Sequence, residues 1–109
     1  MNVVEEYTCV NKDSEIEFRY EYRLISNNYK GMQAYGIEIE RKDYIGVKNV
    51  NLEREKVDLV SVNRHKVKKL IVDLYNNQVS PIHLIDIIGG YVDENVYEFD
   101  NDLYEEAIN

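Results

Sequence analysis

Residues 15 to 24 alternate without a break: Ile16, Phe18, Tyr20, Tyr22 and Leu24 are apolar, while Glu15, Glu17, Arg19, Glu21 and Arg23 are charged. A period of two held over that length fits no helix. It commits the segment to a strand with one face in a core and the other in water, as in an antiparallel sheet open on one side. Val3 to Val10 is a weaker strand candidate, joined to it through Asn11-Lys12-Asp13-Ser14, whose turn formers suit a hairpin. Downstream, Asn27 to Gly31 reads as a loop, and Tyr35, Ile37 and Ile39 alternate with Gly36, Glu38 and Glu40 in a third strand. Lys42 to Gly46 reads as another turn, after which Val47 to Leu52 and Val57 to Val62 are strands with poorer alternation.

At Asn63 the period changes. Asn63 is a natural N-cap before Val67, Leu70, Ile71 and Leu74, an i, i+3, i+4, i+7 set on one helical face. Ser80-Pro81 supplies an N-cap and N1 pair for a second, shorter helix, with Gly89-Gly90 as its stop. The expected fold class is therefore α+β: an antiparallel meander of four or five strands followed by two helices packed on one face. Val67, Leu70, Ile71, Leu74, Ile82, Ile85 and Ile88 would lie over the apolar side of the sheet. Residues 1–91 read as a single domain and residues 92–109 as an acidic C-terminal extension.

A chain of 109 residues, 44% hydrophobic, can bury a core of its own without a staple. Its single cysteine, Cys9, cannot form an intramolecular disulfide, and between Thr8 and Val10 it has no cationic neighbour to activate it as a nucleophile. The N-terminus is acidic and lacks a signal peptide's basic start, and no apolar run is long enough for a bilayer, so a cytoplasmic protein is expected. Ten tyrosines accompany an excess of Asn and Ile over Ala, a bias that an AT-rich genome produces by itself. Aromatic content alone is therefore not read as function.

The order of Tyr35-Gly36-Ile37-Glu38-Ile39 in strand three, then Val79-Ser80-Pro81-Ile82-His83-Leu84 with Asp86, resembles a family of short bacterial proteins of unknown function. It is the DUF6514-like family of low-GC Gram-positive bacteria. The resemblance spans roughly residues 15 to 92, is most specific at Ser80, Pro81, His83 and Asp86, and implies a bacterial source and the strands-then-helices order, with no activity attached.

The chemistry-bearing residues are sparse. His83 and Asp86, three apart near the start of a helix, can share a face and act as an acid–base pair or as two metal ligands. His65 is the only other histidine, and there is no His-Glu-x-x-His, cysteine pair or calcium loop, so neither a metal site nor a cofactor is expected. No serine sits in a Gly-x-Ser-x-Gly setting, and Gly89-Gly90 follows a helix instead of preceding one, the wrong polarity for a phosphate cradle. Nothing here singles out a catalytic residue.

Charge is divided unevenly. Residues 1 to 40, 41 to 69 and 70 to 109 carry nets of −4, +5 and −9, together the −8 of the chain. The positive block puts Arg64, Lys66, Lys68 and Lys69 in the first turns of a helix, where the macrodipole disfavours cations. The extension carries acids and no bases, interleaved with Val96, Tyr97, Phe99, Leu103 and Tyr104, which suits docking by aromatics, steered by that basic ridge. The second helix is too apolar to read base edges, and the net charge opposes direct binding to nucleic acid. The expectation is a protein-binding regulatory or accessory protein, its partner another protein or a second copy of itself, with Arg64, Lys66, Lys68, Lys69, Tyr97 and Phe99 as interaction residues. Two other functions stay open. One is an acidic nucleic-acid mimic, with Asp93, Glu94, Glu98, Asp100, Asp102, Glu105 and Glu106 standing for phosphates, and the other is a small enzyme or ligand-binding domain built on His83 and Asp86.

Overall fold

The computed structural model describes residues 1–99. Four strands, β1 (Asn2–Asp13), β2 (Ile16–Tyr29), β3 (Met32–Ile45) and β4 (Lys48–Ser61), form one antiparallel meander in the order β1-β2-β3-β4. Helices α1 (Arg64–Asn76) and α2 (Leu84–Glu94) follow, with short 3-10 turns at Pro81–His83 and Val96–Glu98. The architecture is α+β. The strict alternation in β2 sorts as its pattern requires: Tyr20, Tyr22 and Leu24 are buried under the helices with Ile37 and Ile39 of β3, and Arg19, Glu21 and Arg23 point to the open face.

The strands run further than their alternation suggests. The loop expected from Asn27 shrinks to the pair Lys30-Gly31, both at positive φ (50° and 80°), the twist that a two-residue hairpin demands. The turn expected over Lys42 to Gly46 lies at Gly46-Val47 instead. The two strands expected at Val47–Leu52 and Val57–Val62 are one, β4, interrupted by a bulge: Ile37 faces Val57 while Tyr35 faces Ser61, so β4 carries two extra residues there. Those residues pass close over Gly36. A Cβ at Gly36 would stand 2.2 Å from the Val57 carbonyl oxygen, so only glycine admits the bulge.

Asn63 caps α1, its Oδ1 accepting from the Lys66 amide at 3.2 Å, and Val67, Ile71 and Leu74 are buried with Leu70 half-buried beside them. The second helix departs from its expected form in three ways. Ser80 makes no side-chain cap, because its Oγ accepts instead from Arg41 Nη1 of the sheet at 3.2 Å. The 3-10 turn, with three residues per turn, rotates the face that follows it. Pro81, Leu84 and Ile88 are therefore buried, while Ile82 and Ile85, expected in the core, are 72% and 53% exposed. Gly89-Gly90 does not stop α2, since neither residue has positive φ and the helix continues while Tyr91 and Val92 still find the core. Asn95 ends it, donating from Nδ2 to the Tyr91 carbonyl at 2.8 Å. Residues 92–94, expected in the extension, thus belong to α2.

Strands of 14 residues span about 46 Å, whereas α1 spans about 20 Å. The sheet therefore overhangs its helices. Beyond the contact of Ser80 with Arg41, residues 10–15 and 45–52 are exposed, and the molecule extends 62 Å along its long axis. Two arginines hold this arm through aromatic rings, one on each face: Arg19 over Tyr44 at 4.1 Å and Arg41 over Phe18 at 5.4 Å.

Candidate interaction surface

Two surface features stand out, a carboxylate array set by the strand register and an exposed apolar stretch on the helical segment. The turn at Lys30-Gly31 places Arg23 opposite Glu38 and Glu21 opposite Glu40 on the open face. Arg23 then sits at the centre of a carboxylate array, with Nε 2.9 Å from Glu6, Nη1 2.8 Å from Glu38, and Nη2 bonded to Glu21 and reaching Glu40 at 3.5 Å. Glu40, only 2% exposed, also binds Arg54 and lies 3.3 Å from Lys42 Nζ. Burial works to raise the Glu40 carboxyl, but Arg54, Lys42 and Arg23 outweigh it and hold the group below its usual range. Sequence alternation alone does not disclose this array. Its signal is the two-residue turn, which fixes every cross-strand pair once located.

The basic ridge on α1 is met mostly from within. Arg64 and Lys68 each reach Glu5 of β1 at 3.4 Å, and Lys66 Nζ lies 3.5 Å from Glu98. Burial tends to raise the Glu5 carboxyl, yet Lys68, Arg64 and Tyr7 together keep it below its ordinary value. Lys69 makes no ion pair among the described residues and lines a depression of about 300 Å³ with His65, Lys68, Val72 and Asp73. Phe99 is 8% exposed and meets the Tyr29 ring edge-on at 5.5 Å, whereas Tyr97 is 62% exposed. Asp100, Asp102, Leu103, Tyr104, Glu105 and Glu106 lie outside the described residues.

The motif Ser80, Pro81, His83, Asp86 divides by role. Ser80 and Pro81 join sheet to helix, while the His83 and Asp86 side chains are exposed and share no hydrogen bond or ion pair. Among the described residues no group of three or more His, Cys, Asp or Glu could hold a metal ion. Burial raises the Cys9 thiol, which disfavours the thiolate.

The second surface is apolar. Ile82 and Ile85, three apart on the helical segment, are exposed, and so is Leu52 of β4, which pairs with Lys42 on the open side of the sheet. Leu52 and Ile82 share a shallow depression of about 380 Å³ with Glu53, Arg54, Glu55 and Pro81. Among the described residues no strand covers the outer edge of β4.

The profile of a family of unknown function matches residues 1–94. The chain belongs to the DUF6514 family. The DUF6514 match takes in all four strands and both helices and ends at the last residue of α2, before Glu98 and Phe99. No curated protein and no solved structure matches the chain. Among the described residues, no helix of this DUF6514 protein is long and apolar enough to cross a membrane.

Proposed function

We propose that the protein works by binding another protein, in a regulatory or accessory role in the bacterial cytoplasm, and that it docks through the flank formed by Ile82, Ile85 and Leu52 beside the edge of β4. The observation that carries this reading is the exposure of Ile82 and Ile85 three apart on the helical segment, with Ile82 sharing a shallow depression with exposed Leu52 on β4, an edge strand among the described residues. Single exposed apolar residues are ordinary, but neighbours across two elements form a patch that water disfavours and a partner can cover. The free thiol of Cys9 fits a reducing compartment. A phosphate mimic needs carboxylates displayed without counter-charges, and of the acids expected to play that part Glu98 is paired with Lys66, while Asp100, Asp102, Glu105 and Glu106 lie outside the described residues.

The test is affinity purification of the full chain from its source cells, wild type beside Ile82→Lys/Ile85→Lys. Both side chains face solvent, so the double variant should melt within a few degrees of wild type. A stoichiometric partner held by wild type and lost by the variant is the expected result. If the partner is a second copy, sedimentation should show a dimer that the same substitutions dissociate. Unchanged recovery of every bound protein would remove the reading.

A further inference from the structure

The helix α1 opens with Arg64-His65-Lys66 and has no acid in its first turn, although the partial positive charge there favours one. The missing carboxylate arrives from the far end of the chain. Glu98 Oε2 accepts from the Ser61 hydroxyl at 2.8 Å and from the Val62 amide at 2.9 Å, and Oε1 faces Lys66 Nζ at 3.5 Å. The next residue, Phe99, is buried against Tyr29 of β2. Four groups on three elements thus make a two-part cradle: a hydroxyl, a backbone amide and an ammonium for a carboxylate, and an aromatic edge for a ring.

The elements of this cradle and its occupant differ in kind. Tyr29, Ser61, Lys66 and the linking residue Val62 lie within the span that the family profile covers, whereas Glu98 and Phe99 lie after it ends. The occupant is also small. It is a single 3-10 turn, Val96–Glu98, in which Val96 and Tyr97 face solvent, anchored through the Glu98 carboxylate and the buried ring of Phe99.

We propose that the cradle is a recognition site for an acidic–aromatic peptide segment, a glutamate followed by an aromatic residue, borne by a partner protein, and that the chain's own Glu98-Phe99 occupies it as an internal competitor. A tethered ligand acts at high effective concentration, so an outside segment binds well only when it makes further contacts or when the strap is released. This goes beyond docking on the α2 flank and does not depend on it.

The experiment uses the full chain as Glu98→Gln/Phe99→Ala and an acetylated, amidated peptide of residues 94–99, with the Val62 amide resonance as readout. Peptide should shift that resonance saturably in the variant, returning it towards its wild-type position, and should leave wild-type protein unshifted at the same concentrations. A peptide with glutamine at position 98 should bind about tenfold more weakly, the loss of one charge-assisted hydrogen-bonding group. If the double variant does not fold, the same titration is made on Glu98→Gln alone, which keeps the Phe99 packing. The proposal falls if folded variant shows no saturable shift, if the glutamine peptide binds equally well, or if wild type responds like the variant. Each of those results would make residues 95–99 simply the closing turn of the domain.

Discussion

Gly36 lies beneath the Val57 carbonyl, so close that a methyl group on its Cα would come within 2.2 Å of that oxygen and 2.4 Å of the Asp58 oxygen. Both obstacles are backbone, and neither can rotate away. Gly36→Ala should therefore destabilise the protein by at least about 3 kcal/mol or prevent folding, by forcing the β4 bulge off the sheet. Gly46→Ala is the control: φ is 62° but nothing stands within 4 Å, so only the conformational penalty of about 1 kcal/mol applies. Denaturant unfolding of the two variants decides between them, and equal losses would contradict the close approach.

Arg23→Gln should cost about 3 kcal/mol, far more than an ordinary surface ion pair, because it leaves Glu38 and Glu40, 6% and 2% exposed, short of their shared counter-ion. Replacing the exposed Lys56, which pairs at 3.6 Å with the exposed Asp58, should cost less than about 0.5 kcal/mol. Urea midpoints at constant m-value measure both.

Acid should unfold the protein through Glu40 and Glu5. Both carboxyls lie below their ordinary value of 4.5 in the folded state, so the unfolded chain takes up protons first as pH falls. Their contribution is complete above the unfolded value, declines below about pH 4.5 and is gone once pH has fallen through the folded values. Glu40→Gln should flatten that acid limb of a stability–pH curve while lowering stability at pH 7.

Asn63→Ala should lower stability by about 1 kcal/mol, since its side chain holds the Lys66 amide at the start of α1. Ser80→Ala should leave the second helix in place, because Ser80 Oγ caps nothing there, and should instead free one arm of the Arg41 guanidinium. Thermal melts with helical ellipticity recorded separately distinguish loss of a cap from loss of a sheet–helix tie.

The fold was legible wherever one physical signal ruled alone. The Ile16–Leu24 alternation sets the inside and outside of β2, and the cap and spacing from Asn63 set α1. Legibility failed where tertiary contacts chose between acceptable local states. Gly89-Gly90 is good stop chemistry, but burial of Tyr91 and Val92 carries the helix past it to Asn95. Ser80 is a good cap residue, but Arg41, thirty-nine positions away, claims its oxygen. Of the candidate surface, the cations of α1 were visible and their internal partner Glu5 was not, because pairing across β1 and α1 depends on a packing angle that no local pattern encodes.

The overhang of the sheet divides the molecule by how it opens. Over Tyr20 to Leu24 the ladder is backed by helices, and its amides should exchange only when the whole core comes apart. Past Arg41 the same ladder is held by side-chain contacts, Arg19 on Tyr44, Arg41 on Phe18, the Arg41–Asp43 and Asn51–Asp43 bonds and the Asn11–Gln78 bond, which resist fraying. Its amides should exchange through openings that cost much less than global unfolding. The sheet is continuous in its hydrogen bonds and yet should behave as two cooperative units, one opening while the other stays shut.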